Sequence, residues 1–447
     1  MRFSPVSLHA VLQAHLPAAA TGLAVAVSGG ADSASLLAAL AQPGPARYRD
    51  LPLRAVHVDH ALQPAAAGLR EACETLCRRL GVPLTVIPVT VEAGNGASIE
   101  EAARDARYLG LGRELKVGEC LLTAHHAEDQ AETVLLQLLR GAGLQGLCAM
   151  PVCRPWSRGW HLRPLLEVAQ RDLREFGAAA GVAAFADPMN FDPRFDRVHL
   201  RLKIWPLIEE RWPGAAVALS RTSRHLAEAQ GLLDQTASLA AGRLRDGATL
   251  LVTGLRALSR PERMNVVRRW LRDRGATPPP AARLAEALRQ IIAADPDHLP
   301  SIEWEEHALR RYRDRLYLTA AQPPVIGEPC GWPIATGATL NLGSGLGTLQ
   351  WLPQMGGLDR ARLPDTLIVR RRLGGERLKP APRARTQTVQ HLCQSAGVVP
   401  WMRDALPLLC AGDDLVAVGD LWQDARWCVA PTAPGLGCKW LDAPALV

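Results

Sequence analysis

The stretch from Leu23 to Leu40 constrains this chain more than any other. Leu23-Ala24-Val25-Ala26-Val27 is a short apolar run without polar alternation, which predicts a strand buried on both faces, and Ala34 to Leu40 predicts the helix after it. Between them lies Ser28-Gly29-Gly30-Ala31-Asp32-Ser33. Adjacent glycines let the backbone turn tightly and bring N–H groups close to an anion, while Ser28 and Ser33 add hydroxyl donors beside a helix N-terminus. The loop is therefore a candidate phosphate site. It has neither the Lys of the common nucleotide-triphosphatase loop nor the glycine spacing of the dinucleotide fingerprint. Asp32 is the odd feature, because a carboxylate repels phosphate unless a cation sits between them; it suits Mg²⁺ or a substrate amine. The alternative is a tight strand-to-helix turn with an Asp cap.

With 447 residues the chain has room for two or three domains. No apolar run reaches 18 residues, and Met1-Arg2-Phe3-Ser4-Pro5 lacks a signal-peptide pattern, so the expectation is a cytoplasmic protein with no membrane partner. The 10 cysteines are scattered through apolar segments without a C-x-x-C pair, which suits reduced thiols better than disulfides, zinc or an iron–sulfur cluster. Net charge is +7, unevenly spread: residues 197–275 hold 15 Lys/Arg against 7 Asp/Glu, and residues 360–385 hold 9 against 2. Basic charge concentrated in this way suggests a polyanion larger than a nucleotide, with nucleic acid the first candidate; solvated arginine-rich helix faces are the alternative.

Further strands are expected at Leu53–His60, Leu84–Val89, Glu119–His125 and Val182–Ala186, and helices at 65–80, 99–116, 128–140 and 170–181. Ser98-Ile99-Glu100-Glu101 has capping-box form. This alternation predicts an α/β domain with a doubly wound parallel sheet, whose ligands gather where the strands end. His57, Asp59 and His60 end the second strand; His125, His126, Asp129 and Glu132 follow the fourth.

Asp129 and Glu132 are three apart at the start of a helix, on one side of it. Paired carboxylates there suit Mg²⁺, a substrate ammonium, or the proton of an attacking amine. Simple stabilisation of the helix dipole is the alternative. His125 and His126, being adjacent, are expected to point apart.

The Ser-Gly-Gly-x-Asp-Ser loop resembles that of the ATP pyrophosphatases, which cleave ATP between the α and β phosphates and adenylate a carbonyl-type oxygen. Over about 190 residues the chain more specifically resembles the tRNA(Ile)-lysidine synthetase family. The matching segments are Ser28 to Ser33, His57 to His60, Glu101 with Arg104, Arg107 and Tyr108, Thr123 to Thr133, Arg140 to Met150, Arg163 to Leu166, and Asn190 to Arg201 running into Trp205-Pro206-Leu207. Two departures are Glu128, where the family commonly has Asp, and Val198, where an Asn commonly follows the Arg.

The resemblance implies ATP and Mg²⁺ at the loop, with Ser28, Gly29, Gly30, Ala31, Asp32, Ser33 and His57 as nucleotide-side residues. It implies free L-lysine and an isoleucine tRNA with anticodon CAU as partners, Asp32, Asp129 and Glu132 as catalytic candidates, and lysidine, AMP and pyrophosphate as products. Arg104, Arg107, Arg197 and Arg201 suit phosphates or the tRNA backbone, or else structural ion pairs. A homodimer stays open. Other readings are another tRNA-modifying enzyme of the same fold, such as a thiolase, and a non-catalytic RNA-binding module.

The βα alternation stops at Trp212, which places a boundary near Pro213-Gly214. Three domains follow: 1–213 for catalysis, a mainly helical 214–325 and an α+β 326–447, the last two for tRNA. Leu284, Leu288, Ile291 and Ile292 form a core-facing stripe, Arg313–Thr319 and Thr339–Trp351 alternate like strands, and Gln322–Pro333 reads as a linker. The segment Val369 to Leu378, with Arg370, Arg371, Arg372 and Arg377, resembles the family's C-terminal R-x-x-G-E-R stretch.

Overall fold

The computed structural model describes residues 3–44, 50–59, 65–89, 99–182, 196–295 and 299–446. They form two compact units, Met1–Leu233 and Asp234–Val447. His60, Ser98 and Asn190 lie outside the described residues, as does Val182–Ala186 beyond its first residue; Glu101 is described in its backbone alone.

The first unit is built on a six-stranded sheet. Its strands are β1 (Gly22–Ala26), β2 (Leu53–Asp59), β3 (Leu84–Pro88), β4 (Glu119–Leu122), β5 (Cys153–Trp156) and β6 (Gly159–Leu162), in the order β3-β2-β1-β4-β6-β5. All neighbours are parallel except the β5/β6 edge hairpin. The strand beside β4 is Gly159–Leu162, which the sequence reading did not single out. Trp160 and His161 interrupt the apolar run of β6, and sheet position rather than composition makes it a strand.

Helices cover both faces: α1 (Pro5–His15), α2 (Ala31–Leu40), α3 (Ala65–Leu80), α4 (Ile99–Glu114), α5 (Ala127–Leu139), α6 (Leu144–Leu147) and α7 (Gln170–Ala179). Leu23 and Val25 pack into the core with α2 and α3, while Ala24 faces Leu111, Leu115 and Leu121 on the other side, which is why β1 reads as continuously apolar. Ser4 caps α1, accepting from Ser7 N–H at 3.2 Å, with Pro5 pre-set for the first turn. A β-carbon on Gly177 would lie 2.3 Å from Ser35 Oγ, so glycine there lets α7 press onto α2. The sheet order reverses between β1 and β4, and the loops after these two strands meet at that switch point.

After α8 (Asp196–His199) a π-helical turn, Leu200–Ile204, leads to α9 (Trp205–Arg211) and α10 (Ala215–Leu244). Val198 is buried, an apolar position where an Asn side chain would need a hydrogen-bond partner.

In the second unit α11 (Val252–Ala257), α12 (Arg260–Arg272) and α13 (Ala281–Ala293) pack with the sheet β7-β8-β11-β10-β9, whose strands are Arg245–Asp246, Thr249–Leu251, Arg315–Ala320, His307–Tyr312 and Ser301–Trp304. Leu284, Leu288 and Ile291 are buried in that core, as the stripe predicted. The C-terminal part carries β12 (Cys330–Pro333), β13 (Thr339–Asn341), β14 (Thr348–Met355), β15 (Thr366–Arg370), α14 (Val389–Ser395), β18 (Leu408–Ala411), β19 (Asp414–Val418), β20 (Trp422–Gln423) and β21 (Pro434–Leu441), with β16 (Arg377–Leu378) and β17 (Gln387–Thr388) as a small ribbon. Thr339–Trp351 is thus a hairpin, turned at Gly343 to Gly347, where one strand was expected, and the end of the expected linker is strand β12.

Candidate active site

At the end of β1 the chain turns at Gly29, whose φ of +84° is a conformation that side chains disfavour. A β-carbon there would also lie 2.8 Å from Leu69 Cδ2 and 3.0 Å from the Leu69 carbonyl oxygen. Gly30 then stands at the N-cap of α2. The two serines close the loop on itself: Ser28 N–H donates to Ser33 Oγ at 3.1 Å, the hydroxyls are 3.2 Å apart, and Ser33 Oγ donates to the Gly30 carbonyl at 3.1 Å. His57, buried on β2, holds the base of this turn with Nδ1 at 2.9 Å from the Val27 carbonyl. A carbonyl only accepts, so His57 Nδ1 carries the proton.

The loop after β4 supplies the second half. His126 precedes α5, and its N–H donates to Asp129 Oδ2 at 3.1 Å. Its ring is 4% exposed and lies among three carboxylates: Nδ1 is 3.0 Å from Glu128 Oε2, and Nε2 is 3.4 Å from Asp129 Oδ2 and 3.6 Å from Asp32 Oδ2. Burial alone would lower the His126 pKa, but Asp129, Asp32 and Glu128 hold it up at about 10. His126 is therefore an imidazolium that ties the phosphate loop to α5. Asp32 is opposed by its own burial, yet His126, Gln170 and Arg174 keep its pKa below the ordinary value. Gln170 Nε2 donates to Asp32 Oδ2 at 3.1 Å, while Asp32 Oδ1 is buried without a partner among the described residues.

Glu128 also accepts the Gln170 backbone N–H, at 3.1 and 2.9 Å to its two oxygens. One carboxylate thus caps α7 and bonds His126, which is the use this chain makes of the residue where its resemblance led us to expect Asp.

Asp129 and Glu132 do share a side of α5, and both are met by Arg197 and Arg201. Arg197 Nε is 2.8 Å from Glu132 Oε2 and Nη2 3.2 Å from Asp129 Oδ1; Arg201 Nε is 2.6 Å from Glu132 Oε1 and Nη2 3.1 Å from Asp129 Oδ1. Glu132 is 1% exposed, and these two guanidinium forks supply the hydrogen bonds that its buried oxygens accept. Burial opposes ionisation of Asp129, but His126, Arg197 and Arg201 hold it down to about 2.

His125 points away from His126, as expected of adjacent residues. Its Nδ1 is 2.8 Å from Thr123 Oγ1, which is 2.9 Å from His161 Nε2. His161 Nδ1 is in turn 3.1 Å from Arg163 Nη2. Tyr108 and Trp156 pack on His161 with ring centres 5.8 and 5.6 Å away, and Arg104 lies over Tyr108 at 5.3 Å. Arg104 and Arg107 are exposed.

The structure therefore gathers Asp32, Asp129, Glu132, Arg197 and Arg201 around the loop end of the sheet. His126, Glu128, Gln170, Thr123, His161 and Arg163 join them without having been singled out for roles. Gln170 and Asp32 are 138 positions apart, and no local pattern announces such a pair. In the second unit Arg370 is committed to Glu376 at 3.1 Å, and Glu376 also accepts the Leu373 N–H at 2.6 Å, closing that loop; Arg371 and Arg377 are exposed, and Arg372 is half-buried.

Among the described residues no group of three or more His, Cys, Asp or Glu side chains is arranged for a metal, and no helix is long and apolar enough to cross a membrane. Mg²⁺ needs only one or two carboxylates when substrate phosphates complete its shell, and the unpartnered Asp32 Oδ1 fits that requirement.

Three family models match the chain: the PP-loop domain over residues 6–208, the TilS substrate binding domain over 250–317, and the TilS substrate C-terminal domain over 367–440. A tRNA(Ile)-lysidine synthase from Alkalilimnicola ehrlichii is 40% identical over 415 residues, 92% of each chain. That of Methylococcus capsulatus is 38% identical, covering 93% of this chain and 95% of the relative, and that of Coxiella burnetii is 34% identical, covering 93% and 91%. Carrying the PP-loop, the switch-point carboxylates and matches of this length, the chain belongs to the tRNA(Ile)-lysidine synthase family of PP-loop ATP-dependent ligases.

Proposed function

We propose that this protein joins free L-lysine to the position-2 carbon of the wobble cytidine in an isoleucine tRNA with anticodon CAU, using ATP. The observation that carries the reading is the His126 bridge, which brings the Asp32 phosphate loop and the Asp129/Glu132 pair into one site.

In this reading the loop N–H groups and the α2 N-terminus receive the ATP phosphates. The cytidine position-2 carbonyl oxygen attacks the α-phosphate and pyrophosphate leaves; the lysine ε-amine then attacks the ring carbon and AMP leaves. Mg²⁺ beside Asp32 Oδ1 would neutralise charge growing on the departing pyrophosphate. A carboxylate held near 2 is a weak base, so Asp129 suits holding the lysine ammonium better than taking its proton. Glu132, buried beside it, would be held with Asp129 in place by Arg197 and Arg201 before lysine arrives.

Residues 1–213 would perform the chemistry, and 214–325 with 326–447 would read the tRNA. A methionine tRNA shares the anticodon sequence, so discrimination needs contacts elsewhere on the molecule, for which the exposed Arg371 and Arg377 are candidates. The setting is the cytoplasm, where ATP and tRNA meet.

The thiolase reading is disfavoured by the cysteines nearest the loop. Burial pushes the Cys73 thiol to about 12 and the Cys77 thiol to about 11, where neither is a nucleophile at neutral pH.

The test is pyrophosphate release from ATP with CAU-anticodon isoleucine tRNA, combined with transfer of labelled lysine into the RNA. Labelling that requires lysine, is absent with methionine tRNA and is lost in Asp32→Asn would bear the reading out. Pyrophosphate release without lysine incorporation points to another nucleophile, and no release at all favours an RNA-binding module.

A further inference from the structure

The chain Arg163–His161–Thr123–His125 has only one consistent direction. A guanidinium has five N–H donors and no acceptor, so Arg163 Nη2, 3.1 Å from His161 Nδ1, must donate. His161 Nδ1 is then bare, and the neutral ring carries its proton on Nε2. That proton faces Thr123 Oγ1 at 2.9 Å. Thr123 is buried, and the two imidazoles are its hydroxyl's only partners among the described residues, so its single proton goes to His125 Nδ1 at 2.8 Å. His125 is left with its proton on Nε2, for which the described residues provide no partner.

We infer that Arg163, His161 and Thr123 are positioning residues that lock His125 as a neutral Nε2–H donor aimed at an oxygen of the bound substrate.

This inference rests on the proposed function for the identity of that oxygen, an α-phosphate oxygen or the cytidine carbonyl. The lock itself is a property of the free enzyme. His125 is placed for the role: it follows β4 at the switch point, and Asp129, Arg163, Arg197 and Arg104 are the charges around it. Burial and the nearby guanidinium of Arg163 hold His161 down to about 2, and burial holds His125 at about 3, so both rings stay neutral as the geometry requires. Tyr108 and Trp156 pack against the His161 ring. A preorganised donor of this kind stabilises developing negative charge without reorientation during the reaction.

The experiment is a long-range ¹H–¹⁵N spectrum of the full-length protein labelled at histidine, with the His125 signals assigned by their loss in His125→Gln. At pH 7 the expected pattern for His125 is protonated Nε2 and bare Nδ1. An Nδ1–H ring or an imidazolium would overturn the inference, whatever the activity, and where His125→Gln fails to fold, His125→Asn supplies the assignment. Kinetics give the second readout: Thr123→Val, which keeps the shape and removes the hydroxyl, should lower kcat for pyrophosphate release on the order of 100-fold with little change in KM for ATP. Thr123→Ser should restore the wild-type tautomer pattern and most of kcat. Equal loss in both variants would reduce Thr123 to a packing role and sink the proposal.

Discussion

His126 Nε2 stands 3.6 Å from Asp32 Oδ2, and through that approach the two loops that meet at the switch point become one site. Neither loop alone explains a buried imidazolium. Three carboxylates from two strand ends do.

Replacing His126 by Gln should therefore destabilise the protein by about 3 kcal/mol, the scale for removing one member of a buried charge cluster. The effect is pH-dependent with a definite sign. The His126 pKa rises from an ordinary 6.5 to about 10 on folding, so its contribution is complete below about 6.5 and disappears as pH climbs through 10. Melting temperatures of wild type and variant should thus differ most near pH 6 and converge by pH 10; a gap that widens with pH would contradict the assignment.

At the acid end Asp129 acts in the opposite sense. Its folded pKa of about 2 lies below the ordinary 3.8, so its stabilisation is present above 3.8 and fades as pH falls towards 2. Wild type should lose more stability than Asp129→Asn on acidification from pH 5 to pH 2, as read by urea midpoints.

Arg197 and Arg201 share Glu132, a carboxylate almost without solvent. Either single change to Ala should cost about 1–3 kcal/mol by leaving a buried acceptor short of a donor, and removing both should cost more than the sum. A double-mutant cycle in denaturant measures this coupling. Strict additivity would show that the two forks are independent.

Gly29→Ala tests the loop. With φ at +84° and Leu69 in contact, a methyl group there should shift the turn, weaken ATP binding at least tenfold by calorimetry and lower stability by about 1–3 kcal/mol. Wild-type affinity would mean that the phosphates do not rest on this turn.

Glu128→Ala removes the cap on α7. About 1 kcal/mol should be lost, and the Gln170 amide should exchange with solvent faster than its neighbours along the helix. An unchanged Gln170 amide would rule out the cap.

Much of the first unit was legible because its signals are local. β1 reads as buried on both faces because Leu23 and Val25 face one layer while Ala24 faces the other. Helix α3 was expected and found at 65–80, its Cys73 and Cys77 packed inward. Strand β6 was missed because Trp160 and His161 break its apolar run. His161 is covered by Tyr108 of α4 and Trp156 of the edge strand, and Trp160 is half-buried against the core on the other face, neighbours that no window of sequence contains. Residues 214–325 were read as mainly helical, and of the five-stranded sheet there only the strand at Arg315–Ala320 was anticipated, since strands as short as Thr249–Leu251 are too brief for alternation to register.

The sequence by itself determined the parallel sheet, the phosphate turn and the carboxylates three apart on one helix, because strand periodicity, glycine conformation and helical spacing act over a few residues. Only the tertiary structure decided what those groups are chemically. Gln170 reaches Asp32 across 138 positions, Arg201 reaches Glu132 across 69, and Arg163 sets the His125 tautomer through two intervening side chains. Protonation states follow from burial and from charges brought close in space, and a linear chain specifies neither until it has folded.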